Sequence, residues 1–368
     1  MELPKLLIHT AGGGVGDDIV VARFVRDLRA ACGVFEFVVA CNDEARSSWI
    51  YEAVPGFRGC LSASLFGKSV DMFSLALRVD QMVQVAGETA SKPCCGQFEE
   101  KFGNVRANIG ASLARNELLL KGVPYTWGDL ARRAVFANAT RATYLHAQAG
   151  IDYGGDQLRL RTEPDAIARF GLRGSDFVTL HNGFDPAFIV SGSSSTKCYG
   201  SFDRVVSRLI GMCPGIRFVQ LGSPRTSRAI ASAQVDLIGK TSLAEAAAII
   251  SASRLHIDVD SGLVHIAACL GVQSLVLFGP TDVDYFGYKS NINLRPRFCG
   301  GCWWTSEAWM DQCARSFDEA QCMSSHAVED VVAHVVEALE RPPAGGRALG
   351  PERKAMHARS GSEMGADR

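Results

Sequence analysis

Leu255-His-Ile-Asp-Val-Asp-Ser-Gly-Leu-Val-His-Ile-Ala-Ala-Cys-Leu-Gly-Val-Gln-Ser-Leu-Val-Leu-Phe278 reads as strand, turn, helix and strand in immediate succession. Leu255–Asp258 is a short apolar run. Ser261 is an N-cap residue, the helix it opens runs to about Leu270, and Gly271 supplies a C-terminal stop. Ser274–Phe278 is a second apolar run, too short for a helix and bounded by Gly279-Pro280. A strand–helix–strand unit of this size is built for a parallel sheet, with ligand chemistry at the C-terminal ends of the strands. The first-turn N–H groups of the helix and its dipole suit a phosphate or pyrophosphate. Gly262 lets an anion approach the backbone, Asp260 can accept from hydroxyls, and His265 lies one turn into the helix. A plain capped helix with a satisfied histidine is the competing reading of these few residues.

Working outward, the same grammar recurs. Leu6–Thr10 is a strand and Ala11-Gly-Gly-Gly-Val-Gly-Asp17 a glycine-rich loop. Asp18–Ala31 is an amphipathic helix with Ile19, Val20, Phe24 and Leu28 on one face, and after Gly33 Phe35–Ala40 is the next strand. Helical stretches are expected over Phe73–Val85, Asn108–Lys121 and Trp127–Ala139. A boundary falls near 155–175. A second α/β unit opens at Phe177–Leu180, passes through a polar loop to Thr196, and continues with a helix over about Ser201–Cys213. It goes on with a strand at Ile216–Leu221 and a helix at Leu243–Ala252 capped by Thr241 or Ser242. The expected fold class is α/β, two doubly wound units. Their ranges are 1–170 and 171–340, followed by a tail over 341–368 rich in Pro, Gly, Ala, Arg and Ser that lacks the periodicity to pack.

The 368 residues carry 47% hydrophobic and 21% charged side chains with a net charge of −1. That balance excludes a bulk electrostatic pull toward nucleic acid and allows at most peripheral membrane contact. The N-terminus does not read as a signal peptide and no apolar stretch approaches a membrane span. A cytoplasmic protein is expected, and its twelve cysteines are then thiols or metal ligands rather than disulfides. The vicinal pair Cys94-Cys95 is assigned no role. Cys299-Gly-Gly-Cys302, Cys313 and Cys322 differ from the scattered others: CxxC is a metal knuckle, two more cysteines complete a four-thiolate set, and either iron or zinc accepts that ligation. Such a closed site is structural. Four unligated thiols are the alternative. Trp303, Trp304 and Trp309 within the knuckle either pack it or stack on a ligand.

The run from Gly239-Lys-Thr-Ser-Leu-Ala-Glu through Val259-Asp-Ser-Gly-Leu-Val-His265 to Phe278-Gly-Pro-Thr281 closely resembles the donor-domain signature of glycosyltransferase family 9, the ADP-heptose:lipopolysaccharide heptosyltransferases. The resemblance implies the GT-B fold, two Rossmann-like domains facing a central cleft, with residues 1–170 binding acceptor and 171–340 binding a nucleotide sugar. It implies that Ser195-Thr-Lys-Cys-Tyr-Gly-Ser-Phe-Asp203 is similar to the family's phosphate loop. Lys197 would then neutralise the donor diphosphate, with Ser194, Ser195 and Thr196 as hydrogen-bond donors. Asp260, Ser261, Gly262, His265 and Thr281 would complete the donor site, and Asp282 is a further candidate. Gly16-Asp17 matches the family's Gly-Asp, whose aspartate would be the general base. Asp18 adjoins it and could exchange roles with it, and Gly13, Gly14 and Gly16 would form the loop near the acceptor. A four-cysteine subgroup, similar to bacterial autotransporter heptosyltransferases, has an iron site.

The resemblance therefore implies inverting transfer of a sugar, ADP-heptose being the favoured donor, to a hydroxyl of a glycan, lipopolysaccharide or protein serine, with no catalytic divalent metal. Another nucleotide sugar or a secondary-metabolite acceptor remains an alternative. So does a non-catalytic nucleotide-sugar-binding or assembly protein with the knuckle as a homo-oligomer interface.

Overall fold

The computed structural model describes residues 3–10, 12–88, 97–184, 189–190 and 195–341. Cys94-Cys95, Ser194 and all but the first residue of the expected tail lie outside them. The N-terminal half is built from β1 (Lys5–Thr10), α1 (Val15–Cys32), β2 (Glu36–Cys41), α2 (Glu44–Tyr51), β3 (Phe57–Ser62), α3 (Phe66–Ser69), β4 (Leu75–Val79) and β5 (Val83–Glu88). Helices α4 (Gln97–Arg115), α5 (Glu117–Leu120), α6 (Trp127–Phe136) and α7 (Tyr144–Ala149) follow. Its sheet has the order β3-β2-β1-β4-β5. All its pairings are parallel except the edge pair β4–β5.

After α8 (Asp165–Arg169) come β6 (Asp176–Leu180), α9 (Phe202–Met212), β7 (Ile216–Gln220), β8 (Val235–Asp236), α10 (Leu243–Ala252) and β9 (His256–Val259). Then follow α11 (Gly262–Cys269), β10 (Ser274–Leu277), α12 (Val283–Phe286), β11 (Ile292–Leu294), α13 (Gln321–Ser324) and α14 (Val328–Glu340). Their sheet runs β11-β10-β9-β6-β7-β8 and is parallel throughout.

Local chemistry explains the elements that matter for the cleft. Ser242 caps α10 in a full capping box, accepting from the Glu245 N–H while the Glu245 carboxylate accepts from the Ser242 N–H. Ser261 caps α11 by accepting from the Leu263 N–H at 3.2 Å. α11 is buried from Val264 to Cys269, as expected of a helix apolar on all sides. It packs against α1 of the other half. The largest apolar cluster accordingly runs through both halves, from Leu6, Phe24 and Phe37 to Ile249, Ile266 and Val272.

Three expectations need correction. Phe73–Val85 is not a helix but the β4–β5 hairpin. Its turn is closed by the Asp80 carboxylate, which accepts from the Met82 N–H at 2.8 Å. A short apolar run does not distinguish the two periods, and pairing with β1 decides it. The stretch Asn108–Lys121 is the end of α4 and the whole of α5, broken at Asn116, whose side chain donates to the Ser112 carbonyl at 2.9 Å. α1 starts at Val15 rather than Asp18, with Gly14 as a cap that offers no side chain. Asp17 therefore stands inside the first turn of the helix, not ahead of it.

Candidate functional site

A cleft of about 980 Å³ lies between the halves. On one side are the Gly12–Gly16 loop and Asp17 from the β1–α1 junction, Asp80 and Gln81 from the hairpin, and Arg141. On the other are His181, Lys197, the 222–226 turn, Asp260 to Leu263, His265 and Thr281. Trp127, Phe286, Trp303, Trp304 and Trp309 form an aromatic wall. The strand–loop–helix units of both halves thus deliver their helix N-termini to the same space. They meet at close range: a Cβ on Gly262 would sit 3.0 Å from the Val15 side chain, and one on Gly16 would sit 2.5 Å from the His265 ring. Gly16 is therefore required by space. Gly13 is required by conformation as well, with φ +114° and the Asp17 carboxylate where a Cβ would go.

The two neighbouring aspartates are placed differently. Asp17 Oδ1 accepts from Arg141 Nη2 at 2.9 Å, and its side chain is 38% exposed to the cleft. Arg141 is buried and also donates to the Asp80 carbonyl at 3.0 Å, and its Nε and Nη1 have no partner among the described residues. Burial works against its charge, but Asp17, Tyr285 and Asp80 raise its pKa. Asp18 is buried, its Oδ2 taken by Arg46 at 2.9 Å and by Ser47 at 3.1 Å. Burial is the leading influence on the Asp18 carboxyl and raises its pKa, against the pull of Arg46.

Across the cleft, Lys197 Nζ donates to Asp260 Oδ2 at 3.0 Å. Both side chains line the cleft, so the two expected donor-site charges are brought together. Beneath them, fully buried Asp258 organises the strand end. Its Oδ1 contacts His181 Nδ1 at 2.9 Å and accepts from the Val259 N–H at 2.7 Å. Its Oδ2 accepts from Ser261 Oγ at 2.5 Å and contacts His256 Nε2 at 3.1 Å. Burial opposes the charge of Asp258, yet His181, His256 and their hydrogen bonds bring its pKa below the ordinary value.

Ser195 and Thr196 are placed otherwise than expected. Ser195 Oγ accepts from the Lys197 N–H and donates to Met310, while Thr196 Oγ1 donates to the Trp309 carbonyl at 2.9 Å. These hydroxyls fix the 195–197 turn to the 309–310 turn and do not line the cleft. Thr281 does line it, buried, its hydroxyl unpartnered among the described residues. Asn291 and Asn293 are structural: the first accepts from the Ser274 N–H and the second donates to the Tyr288 carbonyl. Arg141, His181 and Trp127 were not singled out from the sequence. Arg141 and Trp127 lie in the middle region that has no motif, and His181 has meaning only once Asp258 is beside it.

The tryptophans take the packing role, and they do so against the N-terminal half. Trp303 and Trp309 are buried, and Trp303 stacks on Trp127 of α6 with centroids 6.0 Å apart. The cluster joins the knuckle segment to the N-terminal half and still faces the cleft. The Cys299–Cys302 loop docks on the Phe278–Thr281 turn, Gly301 donating to the Gly279 carbonyl at 3.1 Å and Trp303 to the Pro280 carbonyl at 2.9 Å. Burial, aided by Cys299, Cys302 and Cys313, pushes the Cys322 thiol up to about 12. The four sulfurs are thus within electrostatic reach of one another. The expected four-thiolate site is nevertheless not assembled: among the described residues no three His, Cys, Asp or Glu side chains are placed to hold a metal ion. Cys299 is exposed at φ +50° while Cys322 is buried on α13.

With this geometry in place, residues 188–299 match the model of glycosyltransferase family 9 (heptosyltransferase). That stretch is similar to glycosyltransferase family 9. Lipopolysaccharide heptosyltransferase 1 of Pseudomonas aeruginosa is similar to this chain at 28% identity over 189 residues, 50% of each protein. The chain thus matches that curated relative over about half its length.

Among solved structures, the family 9 glycosyltransferase of Veillonella parvula DSM 2008 aligns with TM-score 0.58 and 13% identity, over 92% of this chain and 98% of that one. The iron-containing dodecameric heptosyltransferase TibC of enterotoxigenic E. coli H10407, in complex with ADP-D-β-D-heptose, aligns with TM-score 0.56 and 13% identity, over 92% and 78%. At such identities the likeness is one of fold, and the fold is GT-B. The matched stretch covers residues 195–203, β9 and α11 and ends at Cys299.

Proposed function

We propose that the cleft transfers a glycosyl group from a nucleotide sugar to a hydroxyl acceptor with inversion, residues 1–170 receiving the acceptor and 171–340 the donor. The observation that supports this most is the convergence of an exposed carboxylate, Asp17, with a lysine and a capped helix N-terminus, Lys197 and Ser261–Gly262, on one cleft. A single displacement needs a base on one side of the anomeric carbon and charge stabilisation on the other. The acceptor oxygen forms the new bond to the anomeric carbon as its proton passes to Asp17. The bond from that carbon to the diphosphate breaks, and the nucleoside diphosphate leaves with the electron pair. Lys197 exchanges Asp260 for the diphosphate, freeing the Asp260 carboxylate to accept from sugar hydroxyls. Arg141 holds Oδ1 of Asp17, which directs Oδ2 to the acceptor. Asp18, occupied by Arg46 and Ser47, is the positioning member of the pair.

ADP-heptose is the preferred donor in this reading, from the match to a lipopolysaccharide heptosyltransferase. The acceptor is a glycan or a protein serine, and the Trp127–Trp303 wall offers it an apolar face. The reaction as written calls on no divalent cation. We assign to Cys299, Cys302, Cys313 and Cys322 one structural iron or zinc ion. The CxxC spacing and the iron-containing neighbour support this, and the sulfurs would have to draw together around it. Metal content of the purified chain far below one ion per molecule would remove that assignment.

The transfer reading is tested by intact-mass analysis of candidate acceptors incubated with ADP-heptose and, separately, other sugar nucleotides. Asp17→Asn is expected to lower transfer about 10²- to 10⁴-fold. Full activity in that variant would remove Asp17 as base. Donor binding by the wild type without transfer to any acceptor would favour a binding protein.

A further inference from the structure

Arg23 is a fully buried cation on α1, with no carboxylate in salt-bridge reach among the described residues. A buried charge without a counter-charge is costly, so what it does with its hydrogens matters. Nη1 donates to the Tyr288 hydroxyl at 2.6 Å and Nη2 to Cys269 Sγ at 3.3 Å, while Nε finds no partner among the described residues. The guanidinium also lies over the Tyr288 ring, 5.3 Å from its centroid. The same Tyr288 oxygen is 2.7 Å from Nδ1 of His265.

The protons on this chain can be counted. A guanidinium only donates, so the Tyr288 oxygen accepts from Arg23. The phenol has one hydrogen of its own, buried, and the only acceptor beside it among the described residues is His265 Nδ1. Were Nδ1 protonated instead, the oxygen would accept from both neighbours and the buried phenol hydrogen would have no acceptor among the described residues. Nδ1 is therefore bare, and a neutral ring carries its proton on Nε2.

We propose that Arg23 and Tyr288 are positioning residues that fix His265 as a neutral ring with Nε2–H as a hydrogen-bond donor, aimed at the point where the N-termini of α1 and α11 meet. There it donates to an oxygen of the nucleotide-sugar donor. The second clause rests on the transfer reading above, and the tautomer does not. Nε2 lies 2.7 Å from where a Cβ of Gly16 would be, and His265 lines the cleft. The charges around the ring are Asp260, Asp17, Arg23 and Arg141. Burial, the largest influence, together with the two arginines outweighs the two carboxylates and takes its pKa down to about 4. A donor that stays neutral binds an anion's oxygen without itself being a competing proton source.

Nitrogen NMR of the full chain labelled at histidine, with His265 assigned by loss of its signals in His265→Gln, reads the tautomer directly. The expected wild-type pattern near neutral pH is a pyridine-type Nδ1 and a pyrrole-type Nε2, with Nε2 shifting on addition of ADP-heptose or ADP. Tyr288→Phe is expected to lose the fixed pattern and to weaken ADP-heptose binding about 10-fold, one hydrogen bond's worth. Arg23→Lys keeps a donor to the phenol and is expected to keep the pattern. A protonated Nδ1 or averaged tautomers in the wild type overturn the proposal even if Tyr288→Phe fails to fold. So does a Tyr288→Phe protein with the wild-type pattern and affinity. A fixed Nε2–H that responds to ADP-heptose or ADP, in a chain that transfers nothing, removes the transfer reading and leaves this inference standing.

Discussion

The helix N-termini of α1 and α11 meet in the cleft but are made in opposite ways. α11 is capped by Ser261, and that serine is held from below by Asp258, which is shared with two histidines. Ser261, Asp258 and the two histidines are committed to one another before a ligand arrives. α1 opens at Gly14 with no side-chain cap, after two glycines at positive φ. Its one exposed carboxylate, Asp17, is steadied by a single arginine. Prebuilt donors suit a ligand part that is constant, such as a diphosphate. An open loop with one movable charge suits a group that must accept a proton and then release it.

The sharpest way to break this contrast is to delete one charge on each side. Asp17→Asn should lower transfer about 10²- to 10⁴-fold with little change in ADP affinity. Lys197→Ala should instead weaken ADP binding by roughly 10- to 100-fold, as expected for a charge-assisted contact. Loss of ADP affinity in Asp17→Asn, by calorimetry, would merge the two sides. Next in size is Asp258→Asn. Removing the charge between His181, His256 and Ser261 should cost about 3 kcal/mol of stability, read by urea unfolding, and should loosen the donor site with it.

Acid should act on the same side. The unfolded His265 takes a proton below its ordinary 6.5, while the folded ring resists until about 4. The unfolded state binds more protons in that window, so stability falls as pH falls through it, by on the order of 3 kcal/mol. Asp258 adds a loss at still lower pH, as its depressed carboxyl finally protonates. A His265→Gln protein with the same pH slope would disprove the first part. Smallest is Ser261→Ala, expected to cost about 1 kcal/mol as a lost cap. No change in its thermal midpoint would mean the cap is not what holds α11.

What could be read in advance follows the same division. β9, α11, β10 and the capping of α10 were legible because caps, stops and periodicity act within a few residues. The β4–β5 hairpin was not, since its apolar run fits either period until β1 lies beside it. Arg23 and Tyr288 are 265 residues apart, and nothing local marks either as part of the site. Arg141 sits where the chain has no motif. The direction of the Ser195 and Thr196 hydroxyls depends on the 309–310 turn, 113 residues downstream of Thr196.

The continuous apolar cluster shared by the halves bears on how this chain can be taken apart. Cutting near residue 170 would strip Ile249, Ile266 and Val272 away from Leu6, Phe24 and Leu145, leaving each fragment with a raw hydrophobic wall. The pieces would be sticky and ill-formed rather than two independent domains. Melting of the intact chain should accordingly be one cooperative event.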